Sequence, residues 1–450
     1  MSKKTKFTFI DLFAGLGGFH LALTQLGGKC VFASELKSDL QQFYKINFPK
    51  TPICGDITKV KPSEIPAHDM LCGGFPCQPF SKAGKRQGFH DESGRGNLFY
   101  NICDIIEYHK PKYVLLENVQ NLEGHDNGNT WNVIETTLKS LGYDVAKKIL
   151  SPHEFGIPQH RKRIYIACAR TDLGGLKNFS YPKPTNAPCN INSIVIPSET
   201  KVKKLSPIRH LRLEVWQEFI DHTIEAGDKI PQFPIWSMEF GATYDYKETA
   251  PSYQSVESLR GKKGAFGKTI VGNTLEECLA CLPNYSQKSK TKKVPEWKQH
   301  FIEENRKFYN KHKKWLKPWM KKLQGFENSF MKMEWNCGYK CRFVLEDKII
   351  QFRPSGIRVM SPTYSPALNL ACTQIPVFPW VELPKDILED GEPSKGRYMT
   401  LREAAKLQGM QDLKFDDPRN KLTTSRTYEA LGNAVNVDVM KLVASKLLEV

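Results

Sequence analysis

One cysteine sits between two prolines in the stretch Gly73-Gly74-Phe75-Pro76-Cys77-Gln78-Pro79-Phe80-Ser81. Proline fixes φ and removes a backbone donor. Flanking prolines therefore stiffen the loop and hold the Cys77 thiol in a set direction. The loop follows the apolar run Met70-Leu71-Cys72, which reads as a strand. Loops at the carboxyl ends of strands are where α/β proteins keep their ligands. That position and that stiffness suit a nucleophilic thiol. A plain turn that holds a cysteine is the simpler reading of a lone Pro-Cys pair.

A carboxylate has a similar placement. Lys112 to Leu116 is an apolar strand that ends at Glu117-Asn118-Val119. A carboxylate directly after a buried strand is costly unless paired or functional. Beside a thiol it would give a proton or read the polar edge of a heterocycle; the alternative is a structural hydrogen bond to nearby backbone. Further on, Gln159-His160-Arg161-Lys162-Arg163 leads into the strand Ile164 to Cys168. In an extended chain Arg161 and Arg163 share a face, and paired guanidinium groups suit carboxylates and phosphates. A solvated basic segment has the same composition.

The elements that must hold these groups begin at the N-terminus. Phe7 to Phe13 reads as a strand, Ala14-Gly15-Leu16-Gly17-Gly18 as a glycine turn, and Phe19 to Leu26 as a helix. Strand, glycine turn and helix open a Rossmann-like unit. Val31 to Ala33 is a second strand ending at Glu35. An acidic residue there suits ribose hydroxyls. Gly15 and Gly17 match the first glycines of G-x-G-x-x-G, but His20 holds the third position. That points away from a nicotinamide dinucleotide and toward another nucleoside-bearing cofactor. Asp56, after Ile53-Cys54-Gly55, is placed either to reach an adenine amino group or to cap a helix. Helices are expected over Leu98–Tyr108 and Trp131–Leu141.

The chain has 450 residues, enough for two domains, and a formal net charge of +17. Such an excess implies an anionic partner, most simply nucleic acid. The basic start MSKKTKFTFIDLF carries Asp11 and has no cleavage site, so it is not read as a signal peptide. No apolar run is long enough to span a membrane. A cytosolic chain, whose 12 cysteines stay reduced, is the expectation.

After about residue 180 the β/α rhythm stops at Pro182, Pro184 and Pro188. Ser286 to Lys322 is basic and aromatic, with a helix expected over Phe301–Trp315. Lys311, Lys313 and Lys314 are candidate phosphate contacts. Arg353 and Arg358, in Gln351 to Val359, are candidates for base edges or phosphates. Cys278-x-x-Cys281 and Cys337-x-x-x-Cys341 have a spacing that zinc could use, but Leu275 to Leu282 reads as a helix in which both cysteines suit burial, and no metal is expected. Helices close the chain at Thr400–Gln408 and Val437–Leu448.

Taken in order, FAGLGGF, GFPCQPFS, ENV, QHRKR, REAAKLQG and LGNAV make the chain resemble the DNA cytosine-5 methyltransferases of bacterial restriction–modification systems. The resemblance implies an α/β, Rossmann-like S-adenosylmethionine-dependent domain over residues 1–185 and 425–450. A smaller mixed target-recognition domain with its hinge would cover 186–424. It implies that S-adenosylmethionine lies against Phe13, Gly15, Gly17 and Gly18, with Glu35 on the ribose and Asp56 on the adenine. Asn433 and Val435 would close that site. Leu36 stands where relatives carry an aromatic residue. Cys77 takes the place of the catalytic thiol, Glu117 of the carboxylate that holds the target base, and Arg163 of the arginine beside it, supported by Arg161. Arg402 and its helix take the place of a brace for the recognition domain. Gln78 and Ser81 border the nucleophile and are candidates for holding opened duplex DNA. The implied partners are duplex DNA and a restriction endonuclease sharing the target site, with a monomer acting in the bacterial cytosol or nucleoid. An RNA cytosine-5 methyltransferase on the same core, a non-catalytic nucleic-acid binder and a nucleotide-cofactor oxidoreductase are the alternatives.

Overall fold

The computed structural model describes residues 5–76, 98–368 and 374–449. Cys77, Gln78 and Ser81 lie outside the described residues. The chain divides into two compact units: residues 1–196, 363–372 and 401–450 form the first, and 197–362 with 373–400 the second.

The first unit is built on a seven-stranded sheet. Its strands are β1 (Phe7–Leu12), β2 (Gly28–Ser34), β3 (Ile53–Cys54), β4 (Met70–Gly73), β5 (Tyr113–Val119), β6 (Tyr143–Leu150) and, after the short β7 (Gln159–His160), β8 (Arg163–Arg170). They lie in the order β3-β2-β1-β4-β5-β8-β6. Neighbours from β3 to β5 are parallel, whereas β8 runs antiparallel between β5 and β6. β4 is buried throughout and β5 is apolar over Val114-Leu115-Leu116, as expected of strands covered on both faces. Helices α1 (Gly18–Gln25), α2 (Ser38–Asn47), α3 (Leu98–His109) and α4 (Asn129–Ser140) alternate with the strands. Ile102, Ile105 and Ile106 of α3 and Ile134 and Leu138 of α4 share one core with Leu71, Val114, Leu116, Ile164 and Ile166 of the sheet. This is the Rossmann-like α/β arrangement expected from the sequence.

The chain returns to this unit in α9 (Leu401–Leu407), α10 (Thr424–Asn433) and α11 (Val437–Leu447). α11 packs against α1. Arg426 of α10 donates to Asp39 of α2 at 2.7 Å and pairs with Glu429 at 2.7 Å. The expected boundaries therefore shift: the first unit runs on to Ile196, and residues 401–424, assigned from the sequence to the recognition domain, cluster with the first unit. Buried Glu403 accepts from the Ile196 amide at 2.8 Å, which ties both shifted ends together.

The second unit has a six-stranded sheet in the order β15-β14-β11-β12-β10-β9. These are β9 (Ile235–Trp236), β10 (Lys332–Asn336), β11 (Ile349–Arg353), β12 (Gly356–Met360), β14 (Val377–Glu382) and β15 (Lys395–Tyr398). The short β13 (Ser365–Pro366) instead pairs with β7 in the first unit. Helices α5 (Pro207–Glu225), α6 (Val256–Leu259), α7 (Leu275–Ala280) and α8 (Glu296–Lys322) complete the second unit. α8 is longer than the sequence suggests. It buries Phe308, Tyr309, Leu316 and Trp319, and it passes through a non-helical residue, His312, and through Pro318. Cys278 is buried in one core cluster, while Cys337 and Cys341 pack against another.

Candidate active site

The carboxyl ends of β1, β2, β4 and β5 meet at one edge of the first sheet, where antiparallel β8 begins. β1 is flanked by β2 and β4, so the chain reverses its strand order there, and a crevice opens at such a switch point.

The turn after β1 has a left-handed residue in Phe13 (φ 58°) and left-handed glycines at 15 and 17. The glycines serve different ends. A side chain at Gly17 would lie 2.3 Å from the Phe48 ring, so this glycine answers to packing. At Gly18 a Cβ would stand 2.6 Å from Val435 Cγ2, which brings the far end of the chain onto the start of α1. A Cβ at Gly15 would meet only the Phe13 carbonyl, at 4.0 Å, so the turn is open there. His20 is buried, stacks on Phe48 at 3.8 Å between ring centroids and shares a hydrogen bond with the Tyr44 hydroxyl at 2.7 Å. The third fingerprint position is therefore a core residue.

Glu35, at the end of β2, is buried and accepts from the Gly15 amide and the Lys37 amide, each at 2.9 Å. Leu36 beside it is 70% exposed, an apolar side chain left uncovered next to the turn. Asp56 accepts from the amide and hydroxyl of Thr58 at 3.0 and 2.7 Å and caps a short 3₁₀ turn. Of the two readings of Asp56, the cap is the one with a contact. Asn433 is exposed at the end of α10.

Glu117 and Arg163 meet across β5 and β8. Glu117 is opposite Tyr165, and Arg163 is opposite Val119. The two are thus diagonal neighbours on one face of the pair. Arg163 Nε lies 3.2 Å from Glu117 Oε1, with both side chains largely buried. Burial drives the Glu117 carboxyl upward, and the charges of Arg163 and Arg161 oppose the rise. The backbone of Gly74 reaches the same place. A Cβ there would stand 3.8 Å from Glu117 Oε2, 3.9 Å from the Phe19 ring and 4.0 Å from Val435 Cγ1. The glycine turn, the start of the Cys77 loop, the carboxylate and the C-terminal segment therefore converge within one unit.

Two neighbours hold this arrangement. Asn118, only 3% exposed, donates its side-chain amide to the Phe75 carbonyl at 2.9 Å and accepts from the Val119 amide at 2.8 Å. It anchors the chain just before Pro76. The ENV motif marks the position, but the bond depends on β4 lying beside β5, so the sequence does not disclose it. Arg161 is 2% exposed and forks its guanidinium to the carbonyls of Gly432 and Ala434 at 2.7 and 2.8 Å. Burial lowers its pKa to about 10. Arg161 thus clamps the C-terminal segment. Arg402 is exposed and pairs with Asp416 inside the first unit.

In the second unit several expected DNA contacts have partners of their own. Arg353 is 8% exposed and pairs with Glu334 at 2.8 Å, and Arg358 shares Glu334 at 3.4 Å. Burial on β11 takes Arg353 out of reach of a duplex, a correction to the sequence reading. Lys311 pairs with Asp228 at 2.7 Å, beside buried His312, which shares the same carboxylate at 2.8 Å. Lys313 and Lys314 are exposed. Among the described residues no group of three or more His, Cys, Asp or Glu stands close enough to hold a metal ion.

Residues 7–449 match the family described as C-5 cytosine-specific DNA methylase. This chain belongs to that family. It is 31% identical to the Type II methyltransferase M.AluI of Cellulosimicrobium cellulans over 98% of its own length and 92% of that protein's. It is 45% identical to the Type II methyltransferase M.HhaI of Haemophilus parahaemolyticus over 47% of its own length and 61% of the other's. Several relatives are matched over little more than half their length, M.DsaV of Dactylococcopsis salina over 54%. Among solved structures, a mutant DNMT2 of Spodoptera frugiperda aligns over 98% of this chain and 99% of that one, at 17% identity and a TM-score of 0.48. Among the described residues no helix is long and apolar enough to cross a membrane.

Proposed function

We propose that this family member transfers a methyl group from S-adenosylmethionine to carbon 5 of a cytosine flipped out of a specific duplex DNA sequence. The observation that carries the reading is the buried Glu117–Arg163 pair, 3.2 Å apart, beside the backbone of Gly74 where the Cys77 loop begins.

The turn suits the cofactor. Gly15 is open, the Glu35 carboxylate stands beside it, and Leu36 offers an uncovered apolar surface to an adenine. Phe13, Gly15, Gly17, Gly18, Glu35 and Asp56 would hold the cofactor, with Asn433 and Val435 closing over it. When bound, the sulfonium supplies an electrophilic methyl group. The chain's own residues do the rest. Carbon 5 of cytosine is a poor nucleophile, and addition of the Cys77 thiolate to carbon 6 moves electron density onto it. Ring nitrogen 3 is an acceptor, so it needs a donor. Burial favours the protonated Glu117 carboxyl, which donates to nitrogen 3 while its other oxygen accepts from the exocyclic amino group. That bond stabilises the charge developing on the ring. Arg163 orients the carboxyl, and Arg161 holds the segment that carries Asn433 and Val435. After methylation a base takes the carbon 5 proton, the 5,6 double bond re-forms, and the Cys77–carbon 6 bond breaks to return the thiolate. The base reacts only outside the stack, and Gln78 and Ser81, close to Cys77 in the sequence, would help hold the opened duplex.

The relatives' designation as Type II methyltransferases supports a place in a restriction–modification pair, with an endonuclease that cuts the same sequence. A monomer suffices, because one site can treat the two strands of a palindrome in turn.

Bisulfite sequencing of DNA from a host without cytosine-5 methylation, expressing this chain or its Cys77→Ser variant, tests the reading. One short recurring sequence should be protected by the wild type and unprotected in the variant. Absence of protection with soluble wild-type protein would overturn it.

A further inference from the structure

The second unit contains a groove of about 970 Å³ that takes no part in the chemistry above. One wall is α8, which contributes Lys313, Lys317 and Lys321. The i, i+4, i+8 spacing puts these on one face of the helix. The opposite wall is the loop carrying Lys263 and Lys268. All five lysines are exposed, and none has a carboxylate partner among the described residues. The groove lining contains no Asp or Glu, and its sixth cation, Arg306, is neutralised by buried Glu239 at 2.9 Å. This contrasts with the adjoining stretches of α8, where Lys307, Lys311 and Lys322 each pair with a carboxylate. The groove thus gathers five lysines without a carboxylate partner among the described residues.

The floor is rigid. Gly241 and Gly267, both left-handed, touch backbone to backbone: a Cβ on Gly241 would stand 3.2 Å from Gly267 Cα, and one on Gly267 would stand 3.2 Å from the Gly241 carbonyl. Phe266, next to Gly267 in the same loop, also takes a left-handed conformation, φ 54°. The Lys263 backbone amide donates a hydrogen bond to Thr243 Oγ1 at 3.0 Å, and its Nζ donates to Thr269 Oγ1 at 2.8 Å. Along α8 the three lysines span about 12 Å at about 1.5 Å per residue. A duplex strand advances about 3.4 Å along the helix axis per phosphate, so the row is long enough for each of its three lysines to meet a different phosphate.

We propose that this groove grips the phosphodiester backbone of a duplex flanking the methylation target, as a site separate from base reading. The inference rests on the reading of the chain as a DNA-acting enzyme. It replaces Lys311 and Lys314 with Lys263, Lys268, Lys317 and Lys321 beside Lys313 as the backbone contacts.

The test is fluorescence anisotropy of the full chain with a labelled duplex of about 40 base pairs, titrated at several salt concentrations. Each lost phosphate contact lowers the slope of log affinity against log salt by about 0.9. A variant with Lys263, Lys268, Lys313, Lys317 and Lys321 all changed to Gln should lose about 4 to 5 from that slope. The same positions changed to Arg should retain it, which also guards against a folding defect. As a charge-matched control, Lys29, Lys45, Lys50, Lys110 and Lys177, exposed in the first unit, are changed to Gln. A groove variant whose slope equals the wild type's or the control's overturns the proposal, as does a loss confined to duplex RNA. Binding is read without methyl transfer, so the two readings fail separately. An inactive wild type with the slope change intact sinks the enzymatic reading alone, and active protein with an unaltered slope sinks the groove alone.

Discussion

Arg163 Nε lies 3.2 Å from Glu117 Oε1 because an antiparallel strand, β8, is inserted beside β5 in an otherwise parallel half-sheet. Burial raises the Glu117 pKa, and of the two charges that oppose the rise Arg163 acts more strongly than Arg161. Glu117→Gln should lower turnover about 100- to 1000-fold with DNA affinity retained, as single-turnover methyl transfer and anisotropy would show. Arg163→Gln removes an opposing charge, so the Glu117 pKa should rise further. Methyl transfer that needs the protonated carboxyl is lost as pH rises through that pKa, so the alkaline limb should move to higher pH. A limb that stays in place would remove Arg163 from the titration.

Asn118 should matter to turnover more than to affinity. Its side-chain amide donates a hydrogen bond to the Phe75 carbonyl, which anchors the chain just before Pro76. Asn118→Ala leaves the Phe75 carbonyl and the Val119 amide without their partner. The expected outcome is a fall in kcat of at least about tenfold, equivalent to about 1.4 kcal/mol, with KM for DNA nearly unchanged. A change in KM alone would contradict a positioning role.

Arg161 answers to stability. Its guanidinium satisfies the Gly432 and Ala434 carbonyls from a fully enclosed position. Arg161→Ala strands both acceptors, and a lost bond to a buried group costs about 1–3 kcal/mol. The thermal midpoint should fall and cofactor affinity should weaken, since the same segment carries Val435 against Gly18. Arg161→Lys cannot fork to both carbonyls and should lie between. Equal midpoints for all three proteins would refute the clamp.

Two buried histidines predict the acid side of stability. His20 and His68 are each 8% exposed, and burial lowers both to about 4. Unfolded histidine titrates near about 6.5. Between these values the unfolded chain binds more protons, so stability rises with pH. The contribution is complete above about 6.5 and is lost as pH falls toward 4, up to about 3 kcal/mol for each residue. Urea midpoints at neutral pH and near pH 4.5 should differ accordingly, and His68→Phe should flatten the difference. An unflattened curve would exclude His68.

Gly17 shows how a residue can be read in the right place for only part of its reason. A glycine turn before a helix is visible in FAGLGGF. That Gly17 is filled by Phe48 and only Gly15 is open depends on α2 folding back over α1. Arg353 is the opposite case. Its charge suggested a contact with DNA, and burial on β11 beside Glu334 redirected it.

What the sequence determined by itself is local and periodic. The β/α alternation of the first unit, the glycine turn, the proline-framed cysteine and the carboxylate that ends β5 follow from steric and burial rules acting within a few residues. What only the tertiary structure decided is long-range. The insertion of β8 next to β5 brings Arg163 to Glu117, and Arg161 reaches carbonyls more than 270 residues away. The short strands of the second unit carry too little pattern to reveal their pairing. The lysines of α8 divide into paired and unpaired only once Asp228 and Glu218 have been folded against them. Charge and periodicity are properties of a segment, but the partner that neutralises a charge is supplied by the fold.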